Sequence, residues 1–253
     1  GSISYSGGSI NPGTAPGRID GTAASGGSSV SYQWQKKTTG GYTNISGATG
    51  RNYQSGSLTR TTTFKRIATT NCGSSATSNE VTIAVNLKPG SIASGSETIC
   101  RGSNPGVINS TAGASGGVGN YQYQWQVFSE LQQPTLEGGG SVLEDGWHDL
   151  PGETGLTFDP PVLNMDMIYR RKVTSGNQIA YTSPKSYTVS APLTAGSISY
   201  SGGSVNAEGN PPSITGTTVS GGISPVYQWQ SKVGTATSFS NISGATGKNY
   251  DPP

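Results

Sequence analysis

The chain has 253 residues, of which only 11% are charged, and its formal net charge is +2. That balance lacks the basic footprint of a nucleic-acid binder or of a protein held on an anionic membrane. The length accommodates two to three domains, and the 39 glycines fall in clusters between strand-like runs, as turns do and as disordered tracts do not.

The first elements set a pattern that then recurs. A strand opens at Gly1-Ser2-Ile3 and a second is expected over residues 17–23. Tyr32-Gln33-Trp34-Gln35 follows a Gly/Ser-rich stretch and reads as a third strand, with Tyr32 and Trp34 on one face and Gln33 and Gln35 on the other. Asn44-Ile45-Ser46-Gly47-Ala48-Thr49-Gly50 reads as a turn between short strands. Residues 62–68 and the alternating Val81, Ile83 and Val85 complete a second sheet.

The same order begins again at Gly90. Residues 106–112, Tyr123-Gln124-Trp125-Gln126, Asp149-Leu150-Pro151-Gly152-Glu153-Thr154-Gly155, residues 168–173, and Tyr187 with Val189 are the counterparts. A third copy starts at Gly196, where Gly1 to Ser9 returns letter for letter, and carries Tyr227-Gln228-Trp229-Gln230 and Asn241-Ile242-Ser243-Gly244-Ala245-Thr246-Gly247. The tryptophans at 34, 125 and 229 are 91 and 104 apart, the size of one β-sandwich domain and too long for a solenoid repeat. No window has sustained helical spacing of apolar residues.

The expected fold is therefore all-β: tandem Ig-like or fibronectin-III-like β-sandwich domains in an elongated array. The expected domains are residues 1–88, residues 89–195 with a long insertion at about 127–146, and residues 196–253 as a truncated third repeat. The counterparts of residues 54–88 do not follow Tyr250, so the chain is expected to be a segment of a longer array. Targeting and anchoring of the parent protein are then expected outside it. Pro in the junctions Asn86-Leu87-Lys88-Pro89 and Ser190-Ala191-Pro192-Leu193 is expected to stiffen the links.

Trp34, Trp125 and Trp229 share one position in a period-2 strand, which points to core plugs and not to sugar-stacking platforms. Tyr42, Trp147 and Phe239 occupy one equivalent position that accepts any aromatic body. Phe64-Lys65-Arg66 and Tyr169-Arg170-Arg171 put an aromatic residue and an Arg on one strand face, so the Arg is expected over the core Trp or beside a carboxylate. The insertion of the second repeat carries Glu144 and Asp145, with Trp147 and His148 next to them. These four are the candidate ligand contacts. Carboxylates there could hold Ca²⁺ through oxygen, but no Asp-x-Asp-x-Asp-Gly spacing is present, and no cofactor or metal ligand is assigned.

His148 is the only histidine, and neither cysteine has a base near it in sequence, so no catalytic residue is assigned. Asn44-Ile45-Ser46, Asn241-Ile242-Ser243 and Asn109-Ser110-Thr111 match the glycosylation triplet but read as structural, the first two lying in the repeat's own turn, where Asn and Ser serve turn chemistry. Cys72 and Cys100 lie in different repeats, and two unpaired thiols or one bridge across the first junction both fit.

One series of motifs runs through these copies: Tyr-Gln-Trp-Gln, aromatic-x-Asn-Ile-x-Gly-Ala-Thr, Leu58-Thr59-x-Thr61-Thr62-x-Phe64-x-Arg66, Asn71-Cys72-Gly73, and Ser78-Asn79-x-Val81-x-Ile83-x-Val85. It resembles the Ig-like repeats of giant secreted surface proteins of Bacteroidetes, of which the SprB-type gliding-motility adhesins are the nearest kind. The resemblance covers the whole chain. It implies type IX secretion, display at the cell surface, and attachment to surface polysaccharide or a solid substratum together with other surface or secretion-system proteins. Nucleic acid and membrane insertion have no place in that picture, and the family carries no catalytic residues. The usual intradomain disulfide of such repeats has only one of its two cysteines in each of the first two copies. A glycan-binding module centred on Trp147, or spacer domains of a secreted polysaccharide-degrading enzyme, are the other functions compatible with this reading.

Overall fold

The computed structural model describes residues 1–27, 29–129 and 146–253. These residues are all β, with no helix among them. The first repeat holds β1 (Ile3–Ser4), β2 (Asp20–Gly21), β3 (Ser31–Lys37), β4 (Thr43–Asn44), β5 (Thr62–Thr69), β6 (Ser75–Thr77) and β7 (Val81–Ile83). β1 pairs with β2, and the second layer has the order β4-β3-β5-β6, with β7 beside the other end of β5. Ile3 and Ile19 from one layer and Trp34, Phe64 and Ile83 from the other share one core, the arrangement of a β-sandwich.

Period-2 burial makes that core. Thr62, Phe64, Arg66 and Ala68 alternate inward along β5 while Thr63, Lys65 and Ile67 lie between them, less buried. β6 and β7 flank β5 in succession because the chain breaks step between them: Arg66 N–H donates to Ser78 Oγ at 2.9 Å, and Ser78 N–H returns a bond to Arg66 O at 2.9 Å. Residues 17–23, expected as a full strand, keep a ladder only at Asp20–Gly21, with Ile19 bridged singly to Tyr53. Pro16 and Gly17 just before it limit the pairing.

The second repeat repeats the scheme with β8 (Ser91–Ile92), β9 (Gly95–Cys100), β10 (Ser110–Ala112), β11 (Gln122–Ser129), β12 (Gly146–Asp149), β13 (Met167–Ser175), β14 (Gln178–Tyr181) and β15 (Lys185–Ser190). β12, β11, β13 and β14 run antiparallel in that order. The break in step returns too, with Arg171 N–H on Thr182 Oγ1 and Thr182 N–H on Arg171 O, both at 3.0 Å. The third repeat has β16 (Ile198–Ser199) paired with β17 (Thr215–Gly216) and β18 (Gln230–Ser231) paired with β19 (Ser240–Asn241).

The chain divides into two compact units. One comprises Gly1–Gly95, Gly106–Asp159 and Met167–Ser186, and so contains the first repeat and most of the second. The other comprises Ser96–Pro105, Pro160–Asp166 and Tyr187–Pro253, and so contains the third repeat with the remainder of the second. Within the latter, burial and the charge of Glu97 push the Tyr187 hydroxyl up to about 12. Cys72 and Cys100 are both free and exposed. No helix of the described residues is long and apolar enough to cross a membrane.

Candidate functional site

The most specific construction in the chain is the tryptophan plug, built the same way three times. Trp34 gives its N–H to Ala48 O and receives Ile45 N–H, both at 2.9 Å. Its indole Nε1 donates to Gly50 O at 2.8 Å. Trp125 does this with Glu153, Leu150 and Gly155, and Trp229 with Ala245, Ile242 and Gly247. The turn sequence is therefore a socket for the indole. Its glycine at position 47, 152 or 244 has a φ of 71°, 83° or 73°, a conformation in which a side chain would be strained.

The glutamines beside each tryptophan complete the socket. Gln33 Nε2 bridges Trp34 O and Ile45 O at 2.9 and 2.8 Å, and Gln124 and Gln228 do the same in their repeats. Gln35, Gln126 and Gln230 donate to Asn44, Asp149 and Asn241 at 2.8, 2.7 and 2.8 Å. Alternation alone leaves these glutamines on the outer face; the structure gives them the turn to hold. Their identity in all three copies was the signal, since a solvated position tolerates many side chains. Asn44 and Asn241, in the glycosylation triplets, are the acceptors of these bonds.

A guanidinium is buried in each of the first two repeats. Arg66 is 2% exposed, sits 4.2 Å from the centre of the Tyr32 ring and 5.8 Å from that of Trp34, and donates to Arg51 O and to Thr22 O at 2.6 Å. Arg171 is fully buried, donates to Leu156 O at 2.7 Å and Ser110 Oγ at 3.0 Å, and lies 4.9 Å from the Tyr123 ring centre. Burial pulls both below the ordinary arginine range. Of the two partners expected for this Arg, the structure has the aromatic face; the remaining bonds go to carbonyls and, for Arg171, to the Ser110 hydroxyl, and among the described residues neither guanidinium pairs with a carboxylate.

Glu144 and Asp145, two of the four candidate ligand contacts, and residues 130–143 of the insertion lie outside the described residues. Trp147 and His148 are on β12 and partly buried. Trp147 meets Phe128 edge-on at 5.3 Å, and the Arg170 guanidinium lies 4.0 Å over its ring and 3.9 Å over that of Tyr181. The equivalent rings of Tyr42 and Phe239 also carry a cation, Lys65 at 4.0 Å and Lys232 at 5.1 Å. Asp149, next to His148, is pushed up by burial, but bonds from Lys172 and Gln126 outweigh this and leave its carboxyl below the usual range. Among the described residues, no group of three His, Cys, Asp or Glu side chains is placed to hold a metal ion.

The junctions between repeats are a second recurring construction. At the first, Lys88 bridges Ser115, and Gly117 N–H donates to Val85 O at 3.0 Å. At the second, Thr194 bridges Ser220, and Gly222 N–H donates to Ala191 O at 2.8 Å. A Cβ on Gly116 or Gly221 would collide with the carbonyl of Asn86 or Pro192, so the close approach requires glycine at both. The first junction adds Gln178, which accepts Leu87 N–H at 2.6 Å and donates to Val85 O at 3.0 Å. Proline was the expected source of stiffness; these bonds are a further one that junction sequences alone did not display.

Trp229 differs from its counterparts in burial. It is partly exposed and lines an open groove of about 380 Å³ with Gly216, Thr217, Tyr227 and Lys248. Trp34 and Trp125, with β5 and β13 paired alongside, are 0% exposed.

Residues 1–87 match a protein family described as a domain of unknown function (DUF8696). No curated protein matches the chain. Among solved structures, the fibronectin(III)-like modules of Clostridium thermocellum CbhA are similar over 74% of this chain and 92% of theirs, at 13% identity and a TM-score of 0.24.

Proposed function

We propose that this chain is a non-catalytic spacer from a large cell-surface adhesin, in which β-sandwich repeats set in series carry a binding region away from the cell. The observation that carries this reading is the repeated junction. The same two backbone contacts and the same obligate glycine occur at Val85–Gly117 and at Ala191–Gly222, so the joint between repeats is as regular as the repeats themselves. An enzyme or a single-site lectin gains nothing from that regularity, whereas a serial strut does.

In this reading the parent protein is exported by the type IX pathway of a Bacteroidetes cell and acts in gliding and in attachment to polysaccharide or solid surfaces. Weak contacts by many such molecules add through effective concentration. Binding of the chain to a broad polysaccharide array, to agar and to intact cells, with and without Ca²⁺, tests it beside a Trp147→Ala variant. The spacer reading expects a folded chain that binds none of them. Binding that is lost in the variant would instead make the second repeat a glycan-recognition module.

A further inference from the structure

Among the described residues, strand β14 of the second repeat pairs only with β13, which leaves its other edge open. We propose that this edge is a contact between two copies of the chain, in which β14 of one copy pairs antiparallel with β14 of the other about a two-fold axis at Ala180.

The ladder fixes what the edge offers. Lys172 lies opposite Tyr181, and one step further along Thr182 N–H donates to Arg171 O. Bonded and non-bonded pairs alternate in an antiparallel ladder, so Val173 and Ala180 form the next bonded pair. The N–H and C=O groups of Ile179 and Tyr181 therefore turn away from β13 and toward the open edge.

The side chains set this edge apart from its counterpart. In the first repeat β6 flanks β5 as β14 flanks β13, with Ser75 and Thr77 where the second repeat has Ile179 and Tyr181. Those two apolar side chains are 58% and 44% exposed. Open edges are ordinarily blunted by charge, proline or a bulge, and the Gln178-Ile179-Ala180-Tyr181 sequence has neither charge nor proline. A solvated edge gains nothing from replacing two hydroxyls with isoleucine and tyrosine. A paired edge gains cross-strand apolar contacts. The Arg170 guanidinium, 3.9 Å over the Tyr181 ring, already holds that ring against the sheet.

A second copy is the occupant because β14 is complementary to itself. With Ala180 opposite Ala180 of the second copy, Ile179 falls opposite Tyr181 of that copy, and Tyr181 opposite its Ile179. Both become bonded pairs, so every edge-facing group of these residues finds a partner. The strand brings no like charges together. Two strands this short bury on the order of several hundred Å², below the roughly 1,200 Å² of a stable interface between independent chains. The contact is therefore weak between single chains and strengthens where chains are held side by side.

The proposal rests on nothing in the spacer reading. One test uses the 253-residue chain with Cys72→Ser, Cys100→Ser and Ala180→Cys. The two-fold pairing puts position 180 about 4.5 Å from its copy, Cα to Cα, within the span of a disulfide. A disulfide-linked dimer should form at least about tenfold faster in a thiol–disulfide buffer than when Ile179→Ser and Tyr181→Thr are added. The unaltered chain, kept reduced, gives a second test without any variant. Raising its concentration about a hundredfold, into the millimolar range, should slow hydrogen exchange at the Ile179 and Tyr181 amides. Equal cross-linking rates, unchanged exchange at those two amides, or slowing only at other strands would overturn the proposal.

Discussion

Gln178 holds Val85 across the boundary of the first two repeats, its amide donating to the Val85 carbonyl at 3.0 Å while its oxygen accepts Leu87 N–H at 2.6 Å. One side chain thus satisfies both a donor and an acceptor at the end of the first repeat. Gln178→Ala is expected to destabilise this unit by about 1–3 kcal/mol, since it leaves the partly buried Leu87 N–H unpaired, while Val85 O keeps its bond from Gly117 N–H. Urea unfolding checks the loss, and limited proteolysis should show faster cleavage near residues 86–89. An unchanged midpoint and cleavage rate would mean that the clamp contributes nothing to the joint.

The plug tryptophans separate into two classes by burial. Trp34→Ala and Trp125→Ala should each cost about 3–5 kcal/mol, as expected for removing a large buried ring. Trp34→Phe keeps the contact with Tyr53 but leaves Gly50 O without its donor, a cost of about 1–3 kcal/mol. Trp229→Ala should cost less than either alanine variant, because the ring is already partly exposed. Denaturant midpoints of the three alanine variants give the order directly.

Much of this was legible in the sequence, and the reason is repetition. The strands around Trp34, Phe64, Trp125 and Tyr169 follow from period-2 alternation, and the inward-facing Arg66 and Arg171 from their place two residues beyond an aromatic. The glutamine clamps were not legible from alternation, because a side chain that leaves the strand outward can still bend back to the adjacent turn. Gln178 was hidden for a different reason: its partners lie 91 and 93 residues away, and no local pattern marks them. The exposure of Trp229 likewise depends on which strands lie beside it and not on its own motif.

Arg171 offers a test of how a buried guanidinium is tolerated. Its Nε has no partner among the described residues, although Nη1 donates to Leu156 O and Ser110 Oγ and Nη2 to Pro89 O. Arg171→Lys keeps a buried charge but loses the fork, and should cost about 1.5–3 kcal/mol. Arg171→Met removes the charge with similar bulk and should cost less, as replacements of buried ionic groups often do. The reverse order in thermal or chemical melts would show that the hydrogen bonds outweigh the desolvation.

The Asp149–Lys172 pair, at 2.6 Å, predicts an acid-dependent contribution. The Asp149 carboxyl is held below its ordinary range, so its stabilisation is present above the unfolded pKa and fades as pH falls through the lowered folded value. Half the pair is well exposed, which limits the effect to about 0–1 kcal/mol. Asp149→Asn, which restores the residue found at the equivalent Asn44 and Asn241, should keep the Gln126 bond and flatten the acid limb of the stability profile. Melts at pH 2 to 7 check this, and a parallel shift at every pH would contradict it.

The serial-strut account is tested most directly by pulling the chain from its two ends in a single-molecule force measurement. The account predicts discrete unfolding peaks for the first two repeats, each releasing on the order of 300 Å of chain at about 3.3–3.6 Å per residue. Smooth extension without peaks would mean that the repeats do not bear load in series, and would contradict it.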